Sequence, residues 1–460
     1  MPILFCCETA QILLPMLGFS APVNGLLLPV ATSGFCSQKL LRNSSSYCQI
    51  SSALGLSPQR SRAPCSCFGK SFSGAVEGGE VLLKRQQIQD VEDHLWTYEE
   101  VSEHEKNGDY GLWSVIIPTY NRLPILRKCL RALEEQIEFE QAGIKAYEVV
   151  VVDDGSIDGT IEYLLGGRDE TTWSAEYDGL EWRIGEDQPP VQSKRFPHVK
   201  LLRQQHAGAT KARNLGFKHA LGSIIVFIDS DLVVTKRFLK AHAEALKAAH
   251  VEDNDDRAFT YGRVVNTDNF ESPESEAFKI TDHSAAFFAT GNVAICRRRL
   301  VEAAKLLGNQ KGGPFDAEFS EYGWEDLELG VRLRQGGSRR KLAPDAVGYH
   351  WHPSFTCEQL PRLIEQEKQR GRNGVRFYCK HPRLNVRLMT QLTPFHEGLW
   401  FLLTFGGLLN ERTMEPLLQF LVAAGRPRLA SALISPILNW NTVQASKEEL
   451  KHLNMKRLDS

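Results

Sequence analysis

Long hydrophobic runs are absent from this 460-residue chain. A membrane-spanning helix needs about 18 consecutive apolar residues, and the nearest candidate, 399–409, is shorter and contains two glycines. We therefore predict no transmembrane segment, and peripheral contact with a membrane stays open. The net charge is only −2, so a general nucleic-acid surface is not favoured. With 42% hydrophobic and 24% charged residues, the composition is typical of a globular protein with a sizeable core.

Cysteine pairs with the spacing of metal sites are also missing. Six of the ten cysteines lie in the first 76 residues, and the other four are scattered: Cys129, Cys296, Cys357 and Cys379. We therefore expect reduced cysteines that act mainly as small core residues.

Acidic residues are scarce at the N-terminus. Residues 1–76 contain Glu8 against five basic residues, and they are rich in serine. Acid-poor, Ser-rich and Arg-bearing N-termini are typical of organelle transit peptides. We predict that 1–76 is a disordered transit peptide for the plastid, with the mitochondrion as the alternative destination and a merely disordered tail as the alternative to targeting. Residues 77–111 are charged and weakly patterned, which favours a linker.

Short apolar segments alternate with helical patterns from residue 112 onward. Continuous apolar strands that alternate with helices predict an α/β fold whose mostly parallel sheet is covered by helices on both faces. The polar stretch 166–198 interrupts the pattern, and we interpret it as a surface insertion. The predicted strands are 113–118, 147–152, 199–203 and 223–228.

The pattern also suggests where the domains end. Residues 112–355 form the predicted catalytic domain, with a first half at 112–231 and a second half at 232–355. Helical patterns dominate from about residue 356, so 356–460 is predicted to be a helical C-terminal extension.

Polar clusters follow the ends of the predicted parallel strands. Ligands of open parallel sheets bind outside the carboxyl ends of the strands, so these clusters are expected to meet at one edge. The four clusters are Pro118-Thr119-Tyr120-Asn121-Arg122, Asp153-Asp154-Gly155-Ser156, Gln205-His206-Ala207-Gly208 and Asp229-Ser230-Asp231.

The triplet Asp229-Ser230-Asp231 has the chemistry of a metal site. Two hard oxygen ligands with no cation beside them in the sequence suit Mg²⁺ or Mn²⁺. A divalent ion there could neutralise a diphosphate leaving group. Most Asp-x-Asp triplets are solvated turns, and the preceding apolar strand together with the other clusters favours the metal site over that alternative.

Two further clusters are consistent with binding a nucleotide. Asp153 or Asp154 could accept hydrogen bonds from a base or a ribose, although an Asx-type turn explains the same residues. The helix that follows His206 begins with small residues, and a helix N-terminus attracts anions. Lys211 or Arg213 could therefore face a phosphate, and an exposed basic helix face is the alternative.

Two acidic and histidine-containing motifs lie further along the chain. Trp324 beside Glu325-Asp326 would suit a ring that stacks on a sugar next to a general base. In Tyr349-His350-Trp351-His352, two alternating histidines near an acidic site are candidate metal ligands, although a lone histidine is more often structural.

Taken together, these motifs resemble glycosyltransferase family 2, whose members have the nucleotide-diphospho-sugar transferase (GT-A) fold. The second half also looks like the galactosyltransferase-type acceptor region that carries a Trp-Glu-Asp segment. The matching segments are 115–122, 152–160, 208–214, 229–231, 290–295 and 323–329.

The resemblance implies a role for each site residue. Asp326 would deprotonate the acceptor, and Glu325 would bind sugar hydroxyls. The metal would be held by Asp229, Asp231 and His350, with His352 in reserve. Acceptor contacts would come from Gly291, Asn292 and Trp324. The donor nucleotide sugar would be bound by Pro118, Thr119, Tyr120, Arg122, Asp153, Asp154, Arg213, Asp229 and Ser230.

The function implied is inverting, metal-dependent transfer of a sugar, a hexose being favoured, from a UDP-sugar to an acceptor hydroxyl. A sugar-1-phosphate nucleotidyltransferase is disfavoured, because its Gly-rich basic loop is replaced here by 118–122. The remaining alternative is a non-catalytic protein that binds a sugar nucleotide or a glycan. Such a protein is expected to have lost its carboxylates, and this chain keeps them. The sugar, the acceptor and the oligomeric state are not identified by the sequence.

Overall fold

Four apolar segments form the parallel half of the sheet. They are β1 (Leu112–Thr119), β2 (Ala146–Asp153), β4 (Val199–Arg203) and β5 (Ile224–Ile228). The strands lie in the order β4-β2-β1-β5, and a short strand β3 (Val191–Gln192) pairs antiparallel with β4. The central residues of β1, β2 and β5 are apolar and buried, which fits coverage of the sheet on both faces.

A computed structural model describes residues 111–166, 188–279, 282, 284, 286–308 and 312–458, all within one compact unit. The predicted transit peptide and all but the last residue of the predicted linker lie outside the described residues, as do 167–187 of the predicted insertion.

The second half of the sheet is mixed. It contains β6 (Leu232–Val234), β7 (Ala258–Thr267), β8 (Asn292–Cys296) and β9 (Arg339–Trp351), which continue the order as β5-β8-β7-β9-β6. Of the eight strand pairings in the described part, four are parallel and four antiparallel. The predicted α/β class is confirmed. Parallel pairing predominates only in the first half, because β7 with β9 is the one parallel pair of the second half in the described part.

Helices cover both faces of the sheet. The core on one face includes α1 (Leu123–Glu134) and α4 (Phe238–Lys247), and α2 (Thr160–Leu164) contributes to it. The other face is covered by α3 (Ala209–His219), α5 (Arg297–Lys305) and α6 (Glu325–Gln335). Helix α3 lies so close to β1 that a Cβ at Gly216 would come within 2.6 Å of Ile116.

The C-terminal extension is helical, as predicted. It comprises α7 (Leu360–Lys380), α8 (Leu384–Met389), α9 (Pro394–Leu403), α10 (Glu411–Ala423) and α11 (Pro427–Leu458). Helices α7 and α11 cross closely, since a Cβ at Gly371 would lie 2.3 Å from the carbonyl oxygen of Thr442. None of the helices in the described ranges combines the length and the apolar character that crossing a bilayer requires.

Candidate active site

Hydrogen bonds connect the loop after β1 with the loop after β2, and the two loops together are here called the rim. The parallel register places Thr119 beside Asp153, where the two strands end. Asn121 adopts a left-handed conformation (φ 51°), which turns the chain sharply. Its backbone N–H donates to Ser156 Oγ (2.8 Å), and its side-chain oxygen accepts from the N–H of Ile157 (2.9 Å). The two loops therefore hold a common position at the sheet edge.

Asp153 is fully buried where β2 enters the rim. Its carboxylate accepts from the N–H of Ser156 (3.1 Å) and lies 3.5 Å from Arg203 Nε. Burial raises the pKa of Asp153 to about 6. The neighbouring Thr119 has a buried hydroxyl with no hydrogen-bond partner among the described residues. Buried polar groups are rarely left unpaired, so the Thr119 hydroxyl is a candidate ligand contact.

Asp154 has a different position from its neighbour. Its oxygens accept from the backbone N–H groups of Ala207 (2.8 Å) and Gly208 (2.9 Å) and from Gln204 Nε2 (2.6 Å). The carboxylate therefore holds the loop between β4 and α3 in place. Of the two aspartates that the sequence left open for the base or ribose, Asp154 is occupied by this loop.

The predicted nucleotide-pocket residues at the end of β1 differ in their exposure to solvent. Pro118 is buried inside the strand, whereas Tyr120 is 42% exposed. The Tyr120 ring stacks on His206, with 4.1 Å between the ring centroids. This pair forms an aromatic surface at the mouth of the rim.

Three potential metal ligands come together at the end of β5. Oxygen or nitrogen atoms of Asp229, Asp231 and His350 lie within 4.8 Å of one another. The antiparallel pairing of β6 with β9 sets Leu232 opposite His350, and so brings His350 beside Asp231. Ser230 is buried between the two aspartates.

The donor atoms of this cluster suit Mn²⁺ or Mg²⁺. Two carboxylates and one imidazole form a hard oxygen set with one borderline nitrogen. Burial lowers the pKa of His350 to about 3, which keeps the ring in the neutral form that binds metals. Its Nε2 lies 2.9 Å from Asp231 Oδ1. The reserve candidate His352 packs edge-on against His350, with 4.0 Å between the centroids, and is not part of the cluster.

Two arginines compensate the carboxylates. Arg122 forms an ion pair with Asp231. Arg213 is buried and pairs with Asp229 Oδ1 (2.9 Å) and with Glu325 Oε1 (3.1 Å). Burial alone would raise the pKa of Asp229, but the Arg213 guanidinium holds it below its ordinary value. Of the two cations that the sequence left open on α3, Arg213 enters the site and Lys211 is exposed.

The acidic pair Glu325-Asp326 starts α6 next to these arginines. Trp324 turns the chain into the helix in a left-handed conformation (φ 76°). Glu325 Oε2 is buried and has no hydrogen-bond partner in the described part of the chain. Asp326 is 6% exposed, and burial, reinforced by the charge of Glu325, raises its pKa to about 7. A carboxyl group with a pKa near 7 is suited to general base catalysis.

The predicted acceptor residues separate into two groups. A Cβ at Gly291 would lie 3.4 Å from Asp229 Oδ2, so this glycine borders the metal cluster. Asn292 is buried, with its oxygen 2.9 Å from His242 Nε2 and its nitrogen donating to the carbonyls of Arg263 and Ala346. Its amide is thus used inside the core. We assign it a structural role, and the predicted acceptor contact of Asn292 is without support.

Trp324 is anchored to the C-terminal extension. Its Nε1 donates to the carbonyl oxygen of Arg370 on α7 (2.8 Å), and its ring stacks on Phe377 with 5.9 Å between centroids. The ring is only partly buried. The contacts that the structure shows are therefore with the C-terminal extension, and the acceptor role stays a prediction.

Comparison with known proteins agrees with this geometry. The family described as "Glycosyl transferase family 2" matches residues 114–174 and 186–303. The Glycosyltransferase AglE of Haloferax volcanii is 31% identical over 294 residues, which cover 64% of this chain and 80% of that protein. This chain belongs to glycosyltransferase family 2.

Two further comparisons have a lower sequence identity to this chain. The chondroitin synthase of Escherichia coli is 27% identical over 322 residues, covering 61% of this chain but only 38% of that protein's length. A solved mannosyltransferase from Pyrobaculum calidifontis, PcManGT in complex with GDP-Man and Mn²⁺, has a TM-score of 0.40 at 20% identity. The match covers 74% of this chain and 86% of the mannosyltransferase chain. A likeness of that extent carries no conclusion about this chain.

The family-2 site also depends on α7, to which the sequence assigned no role. Asn373 on α7 donates to the carbonyls of Glu321 (2.9 Å) and Gly323 (3.1 Å), and Arg372 pairs with the Glu321 carboxylate (2.9 Å). These contacts hold the turn that leads into Glu325. The only sequence signal was the row of charged residues on an amphipathic helix, which is equally typical of a solvated face.

Proposed function

We propose that this chain is an inverting, metal-dependent glycosyltransferase with a GT-A fold, which transfers a hexose from a nucleotide sugar to an acceptor hydroxyl. UDP-sugars are the expected donors. The observation that carries the proposal is the convergence, at one sheet edge, of a potential metal cluster and an acidic pair joined by Arg213. Arg213 contacts Asp229 on one side and Glu325 on the other.

The donor side is assigned to the loops after β1, β2 and β5. Asp229, Asp231 and His350 would hold Mn²⁺ or Mg²⁺, which when bound neutralises negative charge on the donor diphosphate. Arg122 and Arg213 place two fixed positive charges beside the same carboxylates. Such a combination favours an anionic diphosphate over a neutral sugar.

Recognition of the nucleoside is assigned to the rim. The buried Thr119 hydroxyl and the Asp153 carboxylate offer hydrogen-bonding groups, and the Tyr120–His206 pair offers an aromatic face. Aromatic faces and a few placed polar groups are the usual lining of a nucleotide site. These contacts do not distinguish one sugar from another, so the donor sugar is left to experiment.

The acceptor side is assigned to the start of α6. Asp326 accepts the proton of the acceptor hydroxyl, whose oxygen forms a bond to the anomeric carbon. The bond from that carbon to the diphosphate breaks at the same time, and the nucleoside diphosphate leaves with the bonding electrons. One displacement inverts the anomeric carbon. Glu325, fixed by Arg213, would contact hydroxyl groups of the sugar.

A donor screen tests this proposal. The full chain is incubated with Mn²⁺ and a panel of nucleotide sugars, and release of nucleoside diphosphate is measured with and without acceptors. We expect turnover that a chelator removes and that Asp231→Ala abolishes, while Asp345→Ala, at an exposed carboxylate on β9, retains it. Turnover without a divalent ion, or unchanged turnover in Asp231→Ala, contradicts the mechanism. Calorimetric binding of a nucleotide sugar without turnover would instead support a non-catalytic binding protein.

We also propose that residues 1–76 direct the chain to the plastid, on the basis of their composition alone. Fusing 1–76 to a fluorescent protein and following import into isolated organelles tests this. Import into mitochondria, or no import, contradicts it.

A further inference from the structure

Exposed large hydrophobic side chains are concentrated in the C-terminal helices. In the described part of the chain 21 such residues are exposed, and 13 of them lie between residues 384 and 433. Single exposed apolar residues are normal on a protein surface, but a cluster marks an interaction site. This cluster lies outside the site described above.

The densest part is residues 395–408, here called the apolar segment. It covers most of α9 and the turn that follows. Its six exposed large hydrophobics are Phe395, Phe401, Leu402, Leu403, Phe405 and Leu408. Leu402 is 70% exposed and Leu408 73%. The stretch 398–409 contains no charged residue, and the preceding Glu397 pairs with Lys447.

Two buried residues of the apolar segment, Trp400 and Thr404, hold its inner side in place through hydrogen bonds. Trp400 is buried, and its Nε1 donates to Gln391 Oε1 (2.6 Å). The buried Thr404 hydroxyl donates to the carbonyl oxygen of Trp400 (2.7 Å). A fixed inner face means that the outer hydrophobic side chains are presented by a packed element.

The backbone of the turn adds an independent observation. Phe405, Gly406 and Gly407 are all left-handed, with φ values of 50°, 69° and 90°. Glycine adopts this conformation readily, but for a bulky residue it is strained. The Phe405 side chain is nevertheless 68% exposed. Strained residues cluster where a function requires them, and here the strain presents an aromatic ring to the surroundings.

Basic residues flank the apolar segment in the sequence. Residues 381–433 contain five arginines and three glutamates, a net charge of +2, whereas the whole chain carries −2. Arg383, which precedes α8, Arg387 on α8 and Arg412 on α10 are exposed. Exposed Phe and Leu side chains bordered by arginines are typical of segments that lie in the interface of a membrane with anionic lipids.

We propose that the apolar segment docks this chain on the surface of an anionic lipid bilayer. The Phe and Leu side chains enter the boundary between headgroups and acyl chains, and Arg383, Arg387 and Arg412 contact the headgroups. The proposal does not depend on the transferase activity.

Vesicle flotation with the full chain tests the proposal. The probes are vesicles of phosphatidylcholine alone and of phosphatidylcholine mixed with phosphatidylglycerol. We expect the chain to float with the mixed vesicles, and more weakly with phosphatidylcholine alone. Arg383→Glu combined with Arg387→Glu should reduce flotation with the mixed vesicles and change that with phosphatidylcholine little.

The decisive variant combines Phe401→Ser, Leu402→Ser and Phe405→Ser. It should lower the fraction bound by more than about tenfold, because three large side chains no longer leave water. The matched control replaces three exposed hydrophobics elsewhere by serine, namely Ile137, Leu306 and Leu342. It should float like the parent.

Three outcomes overturn the proposal: no flotation of the parent, equal loss in the control, or full binding of the decisive variant. Self-association of the parent that the decisive variant abolishes, without flotation, would assign the apolar segment to a second copy of the chain. If the decisive variant does not fold, Phe405→Trp decides. Brominated lipids should quench its fluorescence more than that of the parent, and equal quenching overturns the proposal.

Discussion

The charge state of Asp326 should set the pH dependence of the reaction. Burial raises its pKa to about 7, and only the ionised carboxylate can accept a proton from the acceptor. The ionised fraction then rises from about one tenth at pH 6 to about nine tenths at pH 8. We expect kcat/KM to rise roughly tenfold over this range, with a midpoint near pH 7.

Asp326→Asn removes the base while keeping the size of the side chain. A positioned base contributes about 10²- to 10⁴-fold to a rate, so kcat should fall by that factor and the rise with pH should disappear. The readout is release of nucleoside diphosphate at saturating Mn²⁺, in buffers between pH 5.5 and 8.5, a range of roughly 1.5 pH units on each side of the midpoint. Asp345→Asn, at an exposed carboxylate, is the matched control and should keep the profile of the parent.

Asp326→Asn should lower the activity but raise the free energy of unfolding at pH 8. A carboxyl group whose pKa is higher in the folded than in the unfolded chain binds more protons when folded. Its stabilising contribution is complete below the unfolded pKa and is lost as the pH rises through about 7. Asp326→Asn should therefore be more stable than the parent at pH 8, by an amount that shrinks toward pH 4, as measured by urea unfolding. Activity of Asp326→Asn within a few-fold of the parent, or an unchanged pH profile, would refute the assignment.

Three further predictions concern the metal cluster and the scaffold around it. His350→Gln should raise the Mn²⁺ concentration needed for half-maximal activity, and His352→Gln should change it little; equal effects would contradict the ligand assignment. Asp154→Ala should cost about 3 kcal/mol in urea unfolding, because the N–H groups that it accepts from lose their partner; Asp154→Asn should cost less. Glu328→Gln should lower the free energy of unfolding by about 3–5 kcal/mol, because it breaks the buried ion pair of Glu328 with Arg332. Glu318→Gln, at a 69% exposed side chain, should change stability by less than about 0.5 kcal/mol. A small effect at 328 would argue against a structural role for that pair.

The parallel half of the sheet could be predicted from the sequence with little else. A strand buried on both faces is expected to be mostly apolar, and the central residues of β1, β2 and β5 have that composition. Parallel strands also place their carboxyl ends at one edge, which is why Asp153 and Asp229 were expected to share it. The second half was predicted less well, because β7 and β9 are partly exposed and their pairing joins residues far apart in the chain.

The apolar pattern of the sequence indicates that helices form in the C-terminal extension, but it does not define where each helix ends. The last helix, α11, runs through Pro436 and continues to Leu458. Its position is decided by packing against α7, where Ser446 Oγ donates to the carbonyl oxygen of Gly371 (3.1 Å). Tertiary packing of this kind overrides local propensity.

The sequence by itself determined the residue types and the sheet edge at which they meet, because the side-chain pattern of a buried parallel strand is local information. Only the tertiary structure distinguished His350 from His352, and Asp154 from Asp153. Both distinctions depend on contacts between residues that are far apart in the chain: Asp231 with His350, and Asp154 with the backbone of Ala207. Only the tertiary structure brought α7 to the turn before Glu325, because side-chain hydrogen bonds over about 50 residues leave no periodic signal.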